Sequence, residues 1–356
     1  MTDLLSNPWA RKISHLAIGC AMALAAPAMS WAQTAPQLDK MVVAGWSKPI
    51  TEITNLLVEE EKGFFKARGI ELGYVPGAGG GDALRNILSG QADVAFTDPG
   101  SFFTALDKGA KLRAIYDIYP QNVFNVVSLK SQNIFKPADL KGKRIGVYSL
   151  SSGTRQNLQV LLNQAGLTEA DVTVVVTGLL NFAPLMQGQV DATAATDTGL
   201  LVGRQKGLGG VNVMEIKNHL NISSDFFVVR EDTYQQKKDV LKRFLHAYQD
   251  SAKWMIQSPE EAAKLAVKYA IDGQNASMNL DIIRLRNESS VSAITEQRGL
   301  GAFDMAGLQK GANAYKAFGV IQRDIRVSDV VSQDLLPPFT SANSRAQTTT
   351  RTTTKK

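Results

Sequence analysis

One twelve-residue pattern occurs twice in this chain. Leu88-Ser89-Gly90-Gln91-Ala92-Asp93-Val94-Ala95-Phe96-Thr97-Asp98-Pro99 reads as a helix end, a turn, a short buried strand and an acidic strand terminus. Met186-Gln187-Gly188-Gln189-Val190-Asp191-Ala192-Thr193-Ala194-Ala195-Thr196-Asp197 reads the same way. The register extends to both sides: Gly80 pairs with Gly178, Gly90 with Gly188, Asp93 with Asp191, and Lys108-Gly109 with Lys206-Gly207. Two copies are too few for a solenoid, which needs about three stacked units. They specify two similar α/β halves facing each other, with the functional site between them.

Composition allows a full core: 44% of the 356 residues are hydrophobic and 20% charged, ordinary for a globular chain. The net charge of +6 does not make a nucleic-acid surface, because +1 of it lies in the first 32 residues and +4 after Asp334, leaving +1 for the body. No basic stripe remains to follow phosphates, and no nucleic-acid partner is expected. Residues 1–32 read as an export signal, with Arg11-Lys12, an apolar run from Ile13 to Ala26, and Ser30-Trp31-Ala32 before the cleavage point. The run is too short for a membrane span of about 20 residues. Cys20 after Gly19 leaves a lipoprotein cleavage site as an alternative. Beyond residue 32 there is no cysteine, hence no disulfide, thiolate metal site or cysteine nucleophile. The expected product is a periplasmic, monomeric protein with no metal and no cofactor.

Apolar periodicity predicts strands at Met41–Trp46, Ile70–Val75, Ala92–Phe96 and Leu112–Ile118, alternating with helices, one of them running from Thr51 to Lys62. The alternation predicts a parallel sheet covered by helices. Gln121–Lys130 reads as an extended crossing out of this half. The plan then restarts with strands at Arg144–Tyr148, Val172–Thr177, Ala192–Thr196 and Val211–Ile216, and Asp225–Val229 crosses back. From Thr233 onward only helices are predicted, beginning with a long one lined by Val240, Phe244, Ala247, Tyr248 and Met255. The first lobe is read as 39–121 and 230–336, the second with its hinge strands as 122–229, and 340–356 as a disordered Ser/Thr-rich tail.

Ligands of open parallel sheets bind beyond the carboxyl ends of the strands. Those ends here are Trp46-Ser47, the loop Gly77–Gly81, Asp98, Tyr148–Thr154, Gly178–Asn181 and Asp197. Ser149, Ser151, Ser152, Gly153 and Thr154 put hydroxyls and a glycine at a helix start, a pattern suited to an anion and also to plain N-capping. Gly79 and Gly80 permit close backbone approach, without the spacing of either nucleotide fingerprint. Trp46 is either a core plug or a stacking platform for a flat ligand. Asp98 and Asp197 either cap the helices that follow or accept hydrogen bonds from a ligand. No catalytic motif occurs, and His219 and His246 are the only histidines after the export segment.

Glu61-Lys62-Gly63-Phe64-Phe65-Lys66-Ala67-Arg68-Gly69-Ile70, Gly90-Gln91-Ala92-Asp93-Val94-Ala95 and Pro137-Ala138-Asp139-Leu140-Lys141-Gly142-Lys143-Arg144-Ile145-Gly146-Val147 resemble the extracytoplasmic binding proteins of nitrate/sulfonate/taurine-type ABC importers. That group includes binding proteins for pyrimidine precursors of thiamine. The resemblance implies an α/β, two-lobed periplasmic binding protein fold of type II-like form, with two extended hinge crossovers and a helical C-terminal segment. It implies closure over one small-molecule ligand (a sulfonate, carboxylate or pyrimidine-like molecule) for an inner-membrane ABC permease. Contacts would come from Trp46, Ser47, Gly79, Gly80, Asp98, Ser151–Thr154, Asn181 and Asp197. A sensing module presenting the solute to a membrane receptor would use the same cleft. An exported enzyme of thiamine-pyrimidine synthesis is the other alternative, and the related yeast enzymes use a cysteine-rich motif that this chain lacks.

Overall fold

The computed structural model describes residues 37–180 and 182–339. The export segment with Cys20, residue Asn181 and the 340–356 tail lie outside the described residues. Among the described residues, ten strands form two five-stranded sheets. The first contains β1 (Asp39–Ala44), β2 (Ile70–Val75), β3 (Val94–Thr97), β4 (Leu112–Tyr119) and β10 (Asp225–Arg230) in the order β2-β1-β3-β10-β4. The second contains β5 (Phe124–Leu129), β6 (Arg144–Val147), β7 (Thr173–Val176), β8 (Ala192–Thr196) and β9 (Val211–Glu215) in the order β7-β6-β8-β5-β9. The two orders are the same arrangement repeated, as the duplicated pattern predicts.

The sheets are mixed, not parallel as expected. β1 runs parallel to β2 and β3, but β10 is antiparallel to both β3 and β4. β5 is likewise antiparallel to β8 and β9. The reason is where each crossing strand arrives. The parallel strands end at the opening between the sheets, and a strand coming from the other sheet begins there, so it runs the opposite way. Residues 225–229, grouped with the second lobe in the sequence reading, are therefore an inner strand of the first sheet.

The repeated aspartates clamp strand register. Asp93 accepts a hydrogen bond from Val42 N (2.9 Å) while its own N–H donates to Val42 O. Asp191 does the same with Arg144 N (2.8 Å) and Arg144 O. Gly90 and Gly188 turn the chain into these strands at φ of 77° and 70°, the left-handed region that glycine enters without strain. The two crossings are tied side by side. Asn122 N donates to Asn221 Oδ1 (2.9 Å), Val123 N to Ser224 Oγ (2.9 Å), and Ser224 N to Tyr119 O (2.8 Å).

The helix expected over Thr51–Lys62 is three short turns, Thr51–Ile53, Thr54–Leu57 and Glu59–Lys62, the last ended by Gly63 at φ 63°. The long C-terminal helix is Lys238–Gln257. Neighbouring residues of β10 point to opposite faces of the sheet. Phe227 packs on Phe244 and Tyr248 of that helix, and Phe226 on Phe102 and Phe303 behind the other face. Phe227→Ala should cost about 3–5 kcal/mol. Phe135→Ala, at a side chain 63% exposed, should stay within about 0.5 kcal/mol. Urea denaturation of the two variants measures both.

Candidate ligand-binding site

The loops beyond β1, β2, β3, β6, β7 and β8 converge on one cavity of about 160 Å³. From the first sheet come Trp46, Gly79, Gly80 and Asp98; from the second, Tyr148, Ser152, Gly153, Thr154 and Leu179. The first residues of the two crossing strands, Phe124 and Asp225, also line it. Trp46 meets Tyr148 edge-on, with ring centroids 6.4 Å apart, so it stands as an aromatic wall of the cavity.

The glycine loop is where the two halves touch. Gly81 N donates to Ser151 O (2.9 Å), and the hydroxyls of Ser149 and Ser151 donate to Ala78 O. A Cβ on Gly79, whose φ is 122°, would lie 2.5 Å from Ser151 O. Ser149 and Ser151 are thus engaged in this contact and are not cavity-lining residues. The helix Gly153–Asn163 starts with its hydroxyls turned on each other. Ser152 Oγ and Thr154 Oγ1 share a hydrogen bond (2.7 Å), and Thr154 Oγ1 accepts from Tyr148 N (2.9 Å). Arg155 is taken up by Glu169, at 2.7 and 2.6 Å. Ser47 lies behind the wall, its hydroxyl donating to Lys48 O (2.7 Å) and its carbonyl accepting from the Tyr74 hydroxyl (2.9 Å).

Asp98 caps the helix Pro99–Asp107, accepting from Ser101 N and Ser101 Oγ (both 2.8 Å), and lines the cavity as well. Asp197 does neither. Thr196 occupies the equivalent capping position, accepting from Gly199 N (3.2 Å), and Asp197 is the first helical residue, paired with Arg286 (2.9 Å). Arg286 was not singled out in the sequence, nor was Glu52. The arginine is 1% exposed; its Nη2 lies 3.0 Å from Glu52 and donates to Thr198 Oγ1 at 2.9 Å. Glu52 in turn accepts from the Thr198 hydroxyl. Burial raises the Glu52 carboxyl, with Arg286 and the Thr198 hydroxyl opposing. The available signal was Arg286 itself, one helical turn after Ile282 and so on the same buried side of its helix.

His219 and His246 are not among the cavity-lining residues, and no group of three metal-ligating side chains occurs among the described residues.

Two mixed sheets with a cleft at their facing strand ends, followed by a helical segment, form the α/β periplasmic binding protein fold. The alkanesulfonate-binding protein SsuA of Xanthomonas axonopodis pv. citri, solved with MOPS bound, matches with a TM-score of 0.65 over 84% of this chain and 100% of that one, at 16% identity. The chain belongs to the NMT1/THI5-like family, whose model matches residues 50–262. The riboflavin-binding protein RibY of Chloroflexus aurantiacus is 22% identical over 322 residues, covering 88% of this chain and 91% of RibY. The 4-amino-5-hydroxymethyl-2-methylpyrimidine phosphate synthase of Schizosaccharomyces pombe is 22% identical over 227 residues, 60% of this chain and 65% of that enzyme.

Burial raises the Asp98 carboxyl from 3.8 to about 6 against its hydrogen bonds from Ser101. The folded state then holds this proton more tightly than the unfolded chain, so its contribution to stability falls as pH rises from about 4 to about 6. Asp98→Asn keeps the cap and should flatten that part of the stability–pH curve, measured by urea titration at each pH.

Proposed function

We propose that this protein is the solute-binding component of an ABC importer. It works in the periplasm and holds one small polar organic molecule between two lobes that close on the paired crossings. The cavity carries this reading, because the strand-end loops of both sheets supply its walls. Family membership and the likeness to RibY support a binding role. Contacts between the halves flank the cavity on two sides, Gly81 to Ser151 and Glu52–Arg286 to Asp197–Thr198, and they fit a closed state.

The volume bears on the solute. A cavity of about 150 Å³ takes a benzene-sized ring, so the closed cleft suits a one-ring solute and is too small for a flavin ring system. The likeness to the S. pombe synthase favours an enzyme as the second reading. Against it stand the lack of any cysteine beyond residue 32 and two histidines that do not line the cleft. A saturating solute should be recovered unchanged by mass spectrometry after long incubation; conversion to product would overturn the binding reading.

A screen of one-ring carboxylates, sulfonates and aminopyrimidines, followed by thermal unfolding, tests capture. A solute at about 100 times its Kd adds about 2.7 kcal/mol of stability. No response in any class would count against the cleft as a solute site. Gly79→Ala forces its new methyl against Ser151 O and should leave the fold intact while holding the lobes apart. Small-angle scattering should then give a larger radius of gyration than for the wild type, and an unchanged radius would reject the closure contact.

A further inference from the structure

The cavity wall narrows the chemistry of its solute, given the solute-binding reading above. Four carboxylates line it, Glu52, Asp98, Asp225 and Asp272, against two cationic side chains, Arg286 and Lys206. Three of the four have partners. Glu52 is held by Arg286 and Thr198, Asp98 by Ser101, and Asp272 accepts from Thr51 N (2.8 Å) and Thr51 Oγ1 (2.9 Å). The Asp225 carboxylate has no hydrogen bond or ion pair among the described residues, although the residue is only 7% exposed.

A carboxylate taken out of water without a partner is costly. Burial accordingly raises the Asp225 carboxyl far above the usual range; neighbouring Asp98 adds to the rise and Arg286 opposes it.

Arg286 is not the competing pole for an anion. Its Nη2 is committed to Glu52, Asp197 and Thr198, and its guanidinium lies over the Tyr119 ring at 4.8 Å. Its Nε and Nη1 are sealed in the interior without partners among the described residues. Asp225 is the acidic group left open toward a solute deep in the cleft, and a cation placed there draws it into its charged form.

We infer that the solute carries a cationic nitrogen with N–H donors, such as an amidinium or a protonated aminoheterocycle, and that Asp225 receives it while Trp46, Phe124 and Tyr148 enclose its flat body. The cation supplies the hydrogen bonds and counter-charge that Asp225 lacks, and the aromatic faces add cation–π attraction.

The test uses three one-ring probes of nearly the same shape: benzamidinium, benzamide and benzoate. Calorimetric titration of the wild type at neutral pH should show benzamidinium binding at least about tenfold tighter than the other two, which is about 1.4 kcal/mol. Asp225→Asn should erase that preference and bind benzamide no worse. It should fold with a Tm at or above that of the wild type, because it removes an unpaired buried carboxyl. If this variant does not fold, the wild-type series decides alone. A preference for benzoate, equal affinities, or a preference that survives Asp225→Asn overturns the cation assignment and leaves the solute-binding reading standing. Silence toward all three probes also overturns it, whereas the solute-binding reading falls only if the wider screen is silent too.

Discussion

The chain crosses between its two sheets twice, and each crossing becomes an inner strand of the sheet it enters. β10 lies between β3 and β4, and β5 between β8 and β9. A strand entering from the cleft must begin at the cleft, so Phe124 and Asp225 open their strands on the cavity wall. Inner strands are covered on both faces, and Phe226 and Phe227 carry the core on either side of β10. Cleft and core therefore share a strand. Asp225 borders the opening, and the two phenylalanines that follow it are fully buried.

The polar groups around the cavity divide by what they already hold. Ser149 and Ser151 are used in the contact with the glycine loop, and Ser152 and Thr154 bond to each other. Buried Glu52, Thr198 and Arg286 form a polar cluster with the partly exposed Asp197. Such clusters are weak evidence for stability, since desolvation offsets most of the attraction. Their value here is positional: Arg286, on the C-terminal helix Ala276–Ser289, joins the turn at Glu52 to the helix that Asp197 starts. Asp225 is left as the acidic side chain of the cleft without a partner among the described residues.

Much of the fold was legible because its cues are local. Gly90 and Gly188, Asp93 and Asp191, and the short apolar runs after them mark turn, clamp and strand within a few residues. The strand-end positions Trp46, Gly79, Gly80, Asp98 and Ser152–Thr154 were legible for the same reason, since a strand end can be read without knowing its neighbours. The break of the Thr51–Lys62 helix was not, because its buried face is divided among several partners. Nor were the roles of Glu52 and Arg286, far apart in the chain and joined only by packing. The repeat places Thr196 opposite Asp98, but the resemblance of two acidic residues drew attention to Asp197 instead.

The sequence by itself determined two α/β halves of one plan, their crossings, the helical C-terminal segment and the strand ends that had to meet. Periodicity, glycine turns and paired aspartates act within a dozen residues, so they can be read along the chain. The tertiary structure decided the antiparallel insertion of β5 and β10, the use of Ser149 and Ser151 between the halves, the burial of Arg286 among carboxylates, and the isolation of Asp225. Each depends on which groups lose water together, and that is set by contacts between residues distant in sequence.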